Sequence, residues 1–107
     1  MFTRIVECHV KPEKKDEFTR KLNQDVLPVL QKQPGFVDLI GLNDENESEH
    51  IVAISFWKSK EDADRYHREQ YNRISDQLRP LVKQEPTVRT YTVNTSTSHK
   101  IAAVKAA

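Results

Sequence analysis

A chain of 107 residues with 17 basic and 16 acidic side chains has room for one modest core and carries a formal charge of only +1. That balance argues against nucleic acid, whose binders concentrate basic charge, and no apolar run reaches the roughly 20 residues that span a bilayer. Cys8 has no second cysteine to pair with, two glycines leave no phosphate-cradling loop, and charges at Arg4 and Glu7 interrupt any secretory apolar stretch, so a cytoplasmic setting is expected.

Phe2 to Val10 alternates, with Phe2, Arg4, Val6, Cys8 and Val10 on one face and Thr3, Ile5, Glu7 and His9 on the other, which predicts a first strand. Pro12 suits a first helical turn, and Glu13 to Gln33 repeats Phe18, Leu22, Val26, Val29 and Leu30 at helical spacing. Pro28 is expected to kink or split this helix, because it removes a backbone hydrogen bond, and Pro34-Gly35 ends it. Phe36 to Leu42 predicts a second strand, the polar run Asn43 to Glu49 a hairpin loop, and His50 to Trp57 a third strand that is apolar at nearly every position. Ser59-Lys60-Glu61-Asp62 has the form of a helix cap, with acids in the positive first turn. The second helix then runs to Arg79, Pro80 ends or kinks it, Leu81 to Glu85 reads as a short helical tail, and Thr87 to Asn94 as a fourth strand.

The order β-α-β-β-α-β predicts an α+β, ferredoxin-like domain over residues 1–95, an antiparallel sheet with both helices on one face. Residues 96–107 read as an arm that is frayed or packed on a partner subunit. Strands two and three are apolar on both sides, and helices cover one side only. The expected partner is therefore a second copy of the chain, a homodimer meeting sheet to sheet.

Advancing about 100° per residue from Ala63 puts Ile74, Leu78 and Leu81 within about 60° of it, and His67 and Gln70 share that stripe, with Tyr66 and Tyr71 on its flanks. The functional expectation is a pocket for a small aromatic ligand. His67 is the candidate catalytic residue, because imidazole exchanges a proton near neutrality; Trp57, Tyr66, Gln70 and Tyr71 are candidate wall residues, and Arg89 on the last strand is a candidate holder of an anionic group. The alternative is that the inward polar groups are satisfied within a solid core. No metal site is expected: Cys8 and His9 point to opposite faces of a strand, and His50, His67 and His99 lack ligand spacing. RNA-recognition domains share this element order but stack bases on third-strand aromatics. Here Glu49 to Phe56 has an acid at its start and one aromatic, so RNA is excluded.

Pro34-Gly35-Phe36 entering a strand, the strand Val52 to Trp57, and Lys58-Ser59-Lys60-Glu61-Asp62-Ala63 entering a helix resemble the antibiotic biosynthesis monooxygenase (ABM) domain family. The resemblance implies a homodimeric α/β barrel with ligands held between sheet and helices. It also implies monooxygenase chemistry on phenols or quinols that uses oxygen with no cofactor, neither metal nor flavin. Haem-degrading members of the superfamily use a first-strand asparagine and a tryptophan and histidine in the second helix. Those helical positions fall at Tyr66 and Asp76, and the first strand holds no asparagine, so haem is not an expected ligand. A non-catalytic dimer of the same fold, a small-ligand binder or stress-associated protein, is the alternative function.

Overall fold

The computed structural model of the chain describes residues 1–99 and 101. Strand β1 (Phe2–His9) leads through a 3-10 turn at Pro12–Lys14 into helix α1 (Lys15–Lys21), a π-helical segment at Leu22–Val26, and helix α2 (Leu27–Gln31). Strands β2 (Phe36–Asn43) and β3 (His50–Trp57) follow as a hairpin. The second helical run comprises α3 (Lys60–Tyr66), a π-helical segment at His67–Tyr71 and α4 (Asn72–Leu78), closed by a 3-10 turn at Arg79–Leu81 before β4 (Thr87–Thr92). The four strands form one antiparallel sheet in the order β2-β3-β1-β4, which is the expected α+β ferredoxin-like arrangement.

Local chemistry explains the joints. Pro28 sits in the first turn of α2, directly after the π segment, so the helix is split where the proline has no N–H to give. Gly35 takes φ 79, a conformation open to glycine, and its carbonyl accepts from Lys58 N at 2.8 Å, tying the end of α2 to the end of β3. Ser59 caps α3 by accepting from Asp62 N at 3.2 Å. The reading of Leu81 to Glu85 as helical is corrected. The turn closes at Leu81, and Val82 bridges Val10 in extended form while Lys83 N donates to His9 O, because both side chains at 81 and 82 are buried against the core.

Paired residues in an antiparallel ladder share a face, so the register sorts the sheet. Phe2, Arg4, Val6 and Cys8 lie on one side with Ile51, Ala53, Ser55 and Trp57, beneath the helices. Phe18, Val26 and Leu30 from the first helical run and Ala63, Tyr66, Ile74 and Leu78 from the second complete that core. A fully buried Phe or Leu contributes about 1.5–3 kcal/mol, and Trp57, Phe18, Leu81 and Val10 are the largest side chains shut off completely. The opposite face carries Ile5, Val52, Ile54 and Phe56, with Ile40, Leu42 and Tyr91 exposed at 42%, 44% and 47%. The His99 ring lies 6.2 Å from Phe56, so the described part of the C-terminal arm crosses this second face; residues 100 and 102–107 of that arm lie outside the described residues. No described helix is long and apolar enough to cross a membrane.

Candidate functional site

The inward face of β1 alternates apolar residues with one arginine, and the pleat carries that arginine under the second helical run. Arg4 is only 3% exposed. Its Nη2 donates to His67 Nδ1 at 2.9 Å, and its guanidinium carbon sits 5.1 Å from the Tyr66 ring centre and 4.9 Å from that of Tyr71. Cation–π contacts of this kind contribute up to about 2 kcal/mol when desolvated. Among the described residues no carboxylate forms an ion pair with Arg4. A buried cation is ordinarily paired, so two aromatic faces and one imidazole lone pair are an unusual complement.

Aromatic packing extends from this centre. Trp57 stacks on Tyr66 at 5.1 Å, meets Phe36 edge-on at 5.6 Å, and donates from Nε1 to Ser55 Oγ at 2.9 Å. His67 stacks on Tyr71 at 4.9 Å with the rings 17° apart. Burial pushes the Tyr66 hydroxyl up to about 12 and raises that of Tyr71, so both stay neutral near pH 7. Burial, then the Arg4 charge, lowers the His67 imidazole, and burial also lowers Arg4. Burial raises the Cys8 thiol to about 11, which leaves it a small inert hydrophobe.

Between sheet and helices lies a cavity of about 60 Å³ whose lining includes Arg4, Ser55, Tyr66 and Tyr71 at one end and Phe18, Leu22 and Leu39 at the other. Those last three residues also wall a larger outer groove, about 230 Å³, whose lining includes Asn23 of the first π segment and Asn43 of β2. Both π segments therefore border the cavity, the first through Leu22 and Val26 and the second through Tyr71. Such segments are frequent at functional sites.

Of the residues expected from the sequence, Trp57, Tyr66, His67 and Tyr71 come together around Arg4. Tyr66 and Tyr71 line the cavity, while Trp57 packs behind Tyr66. The inward placement of His67 and Gln70 is corrected: His67 lies on the exposed side, with Nδ1 turned to Arg4, and Gln70 accepts a hydrogen bond from Arg73 at the surface. The wheel assumed unbroken α-helix, whereas the π segment at His67–Tyr71 takes up an additional residue and slips the phase by about 100°. Arg89 pairs with Ile5, is exposed, and faces away from the cavity on the other side of the sheet. Sequence reading passed over Arg4, although an arginine at an inward position between Phe2 and Val6 was a visible signal. Asp44, Glu47 and His50, whose nearest polar atoms lie within 4.8 Å of one another, also meet in a way that spacing did not suggest. Internal bonds account for this group: Asp44 Oδ1 accepts from the backbone of Asn46 and Glu47, and Asp44 Oδ2 sits 3.0 Å from His50 Nδ1.

A sequence profile described as antibiotic biosynthesis monooxygenase matches residues 1–73. Among solved structures, the chain is similar to a conserved protein from Methanosarcina mazei Go1, 24% identical, covering 85% of this chain and 91% of that one at a TM-score of 0.73. It is similar also to SnoaB, a cofactor-independent oxygenase from Streptomyces nogalater, at 19% identity, 92% and 97% coverage and a TM-score of 0.78. Rv0793 from Mycobacterium tuberculosis is 13% identical over 91% and 98% of the two chains, with a TM-score of 0.75. At these identities the likeness is one of fold. No curated protein matches the chain by sequence.

Proposed function

The chain belongs to the antibiotic biosynthesis monooxygenase family, and on that premise we propose that it oxidises a small phenol- or hydroquinone-like substrate with molecular oxygen and without a cofactor. The observation that carries this reading is the partly open space beneath the helices: apolar along most of its wall, bounded by two tyrosine rings, and cationic at one end. The 60 Å³ chamber is small for an aromatic ring by itself, since a cavity of about 150 Å³ holds benzene. The ligand occupies it together with the outer groove, once the Phe18, Leu22 and Leu39 side chains between them turn aside.

In such a reaction the electrons come from the substrate. A phenol and one O₂ give a para-quinone and water, with one oxygen atom entering the ring and the other leaving as water. The protein orients the ring, excludes solvent and moves a proton. Tyr66 and Tyr71 supply the wall, Trp57 holds Tyr66 in place, and His67, which reaches the site through its bond to Arg4, is the proton acceptor. Gln70 and Arg89 have no part in this arrangement.

The homodimer belongs to the same reading. Ile40, Leu42 and Tyr91 leave the second sheet face apolar, and a second copy meeting it sheet to sheet is the symmetric way to cover it.

Oxygen consumption with a panel of phenols and hydroquinones tests the reaction, with His67→Ala expected to slow it by about 10²–10⁴ while leaving the fold intact. Ligand binding without any oxygen consumption above buffer would replace the enzyme by a non-catalytic binder of the same compounds.

A further inference from the structure

Arg4 presents five N–H donors; one bonds His67, the Tyr66 hydroxyl draws on the guanidinium as well, and both of these partners are neutral. It is almost wholly buried, lines the cavity and has no acidic partner among the described residues. The titratable or charged groups around it are few. Tyr66, Tyr71, His67 and Asp64 come from the second helical run, Cys8 from its own strand, and Glu85, outside the cavity lining, acts on Tyr71 from the segment before β4. The cavity residues contributed by β3 and by the first helical run, Ala53, Ser55, Phe18, Leu22, Val26 and Leu30, carry no charge. The cavity therefore has one fixed positive charge and no negative one to balance it.

Resting on the phenol reading above, we infer that Arg4 is an anion-holding residue and that the cavity takes its aromatic ligand as the phenolate or enolate oxyanion. Placed at the Arg4 end, the ligand oxygen supplies full negative charge where the resting protein offers only neutral acceptors. The exchange also accounts for the proton. As the oxyanion takes over the guanidinium, His67 Nδ1 is released from Arg4 and its lone pair accepts the phenolic proton. The O–H bond breaks, an N–H bond forms, neutral phenol and neutral imidazole become phenolate and imidazolium, and no electron is transferred. Arg4 thus acts on the substrate directly, and it favours the electron-rich form of the ring that oxygen attacks.

Para-nitrophenol tests this, because its anion and neutral form absorb at different wavelengths, and para-nitroanisole serves as a neutral match that cannot ionise. An opposite charge within a few ångströms lowers an acidic pKa by about 1–3 units, so the wild-type protein should bind the anion roughly tenfold to a thousandfold better than the neutral phenol. Arg4→Met should lose that preference, read as the ratio of anion affinity to para-nitroanisole affinity within the same variant. Arg4→Lys, a point charge lacking the fork, should keep part of it. Circular dichroism and thermal melts establish that the variants fold, and an apolar residue in this apolar setting is compatible with the core. Equal affinity of wild type for anion and neutral forms, with para-nitroanisole still bound, would overturn the anion site and leave the aromatic cavity standing. Failure of wild type to bind either compound would remove the cavity reading and this inference with it.

Discussion

Arg4 Nη2 donates to His67 Nδ1 across a sequence separation of 63, and this one bond sets the state of the imidazole. Guanidinium has no acceptor, so Nδ1 holds the lone pair and the proton resides on Nε2. Burial and the Arg4 charge both disfavour a second proton. Nitrogen-edited NMR should find the Nε2–H tautomer for His67 and a titration midpoint below 6.5, moving upward in Arg4→Met. The linked effect on folding follows: the unfolded chain protonates His67 first, so its contribution is complete above the unfolded midpoint and is lost as pH falls below it. A midpoint above 6.5 in wild type would contradict the contact.

His50 behaves in the opposite sense. Its hydrogen bond to Asp44 raises the imidazole, and the same bond, with the backbone donors of Asn46 and Glu47, holds the Asp44 carboxyl at about 2. The charged pair stabilises the hairpin between the two unfolded midpoints, 3.8 and 6.5. That contribution disappears as pH rises through the elevated His50 value, or falls through the depressed Asp44 value. Asp44→Asn should return the His50 midpoint toward 6.5 by proton NMR, and a midpoint that stays elevated would assign the shift to Glu7 instead.

Trp57 is wholly buried between Phe36 and Tyr66. Trp57→Ala should lower the unfolding free energy by about 3–5 kcal/mol, read by chemical denaturation. Trp57→Phe keeps most of the apolar area and loses the donor to Ser55 Oγ, so its penalty should be nearer 1–3 kcal/mol.

Gly35→Ala meets two obstacles at once. Its φ of 79 disfavours any side chain, and an added Cβ would lie 2.1 Å from Asp62 Oδ2 and 2.6 Å from Asp62 Cβ. A loss above about 1 kcal/mol is expected in thermal melts. Asp62→Ala in the same chain should recover only the part due to the carboxylate, because the Cβ at 2.6 Å remains and the backbone part is untouched.

The exposed apolar face of the sheet predicts association. Wild type should scatter light as a dimer at micromolar concentration, and Leu42→Glu, placed on an exposed position, should halve the mass without changing the circular dichroism. A monomeric mass for wild type would refute the sheet-to-sheet pairing.

Strand faces and helix ends were readable because they depend on local chemistry. The alternation from Phe2 to Val10, the Ser59 cap and the Pro34-Gly35 stop each act within a few residues, and each appears where expected. The site was less legible. Whether His67 points inward depends on helical phase, and nothing in the composition of His67–Tyr71 announces a π turn; the rings of Tyr66 and Tyr71 at its two ends pack over Arg4 from another element. The apolar face of β1 was seen, but its one charged member takes on meaning only when β3 and the second helical run close over it. Arg89 illustrates the reverse: strand alternation and the pairing of β4 with β1 put it on the far side, a consequence of register that only the assembled sheet displays.

A π segment is, in effect, a helix carrying one residue more than its hydrogen bonds need. Each helical run here holds one, and each borders the cavity. Loss of a single codon within His67–Tyr71 or Leu22–Val26 would let that run relax to plain α-helix, rotating everything beyond it against the sheet by about 100°. Chamber size and shape in this scaffold are therefore open to change by insertion and deletion within helices as well as by exchange of side chains. Related chains of unequal helix length should accordingly differ in the bulk of compound they admit, even where the strands beneath are alike.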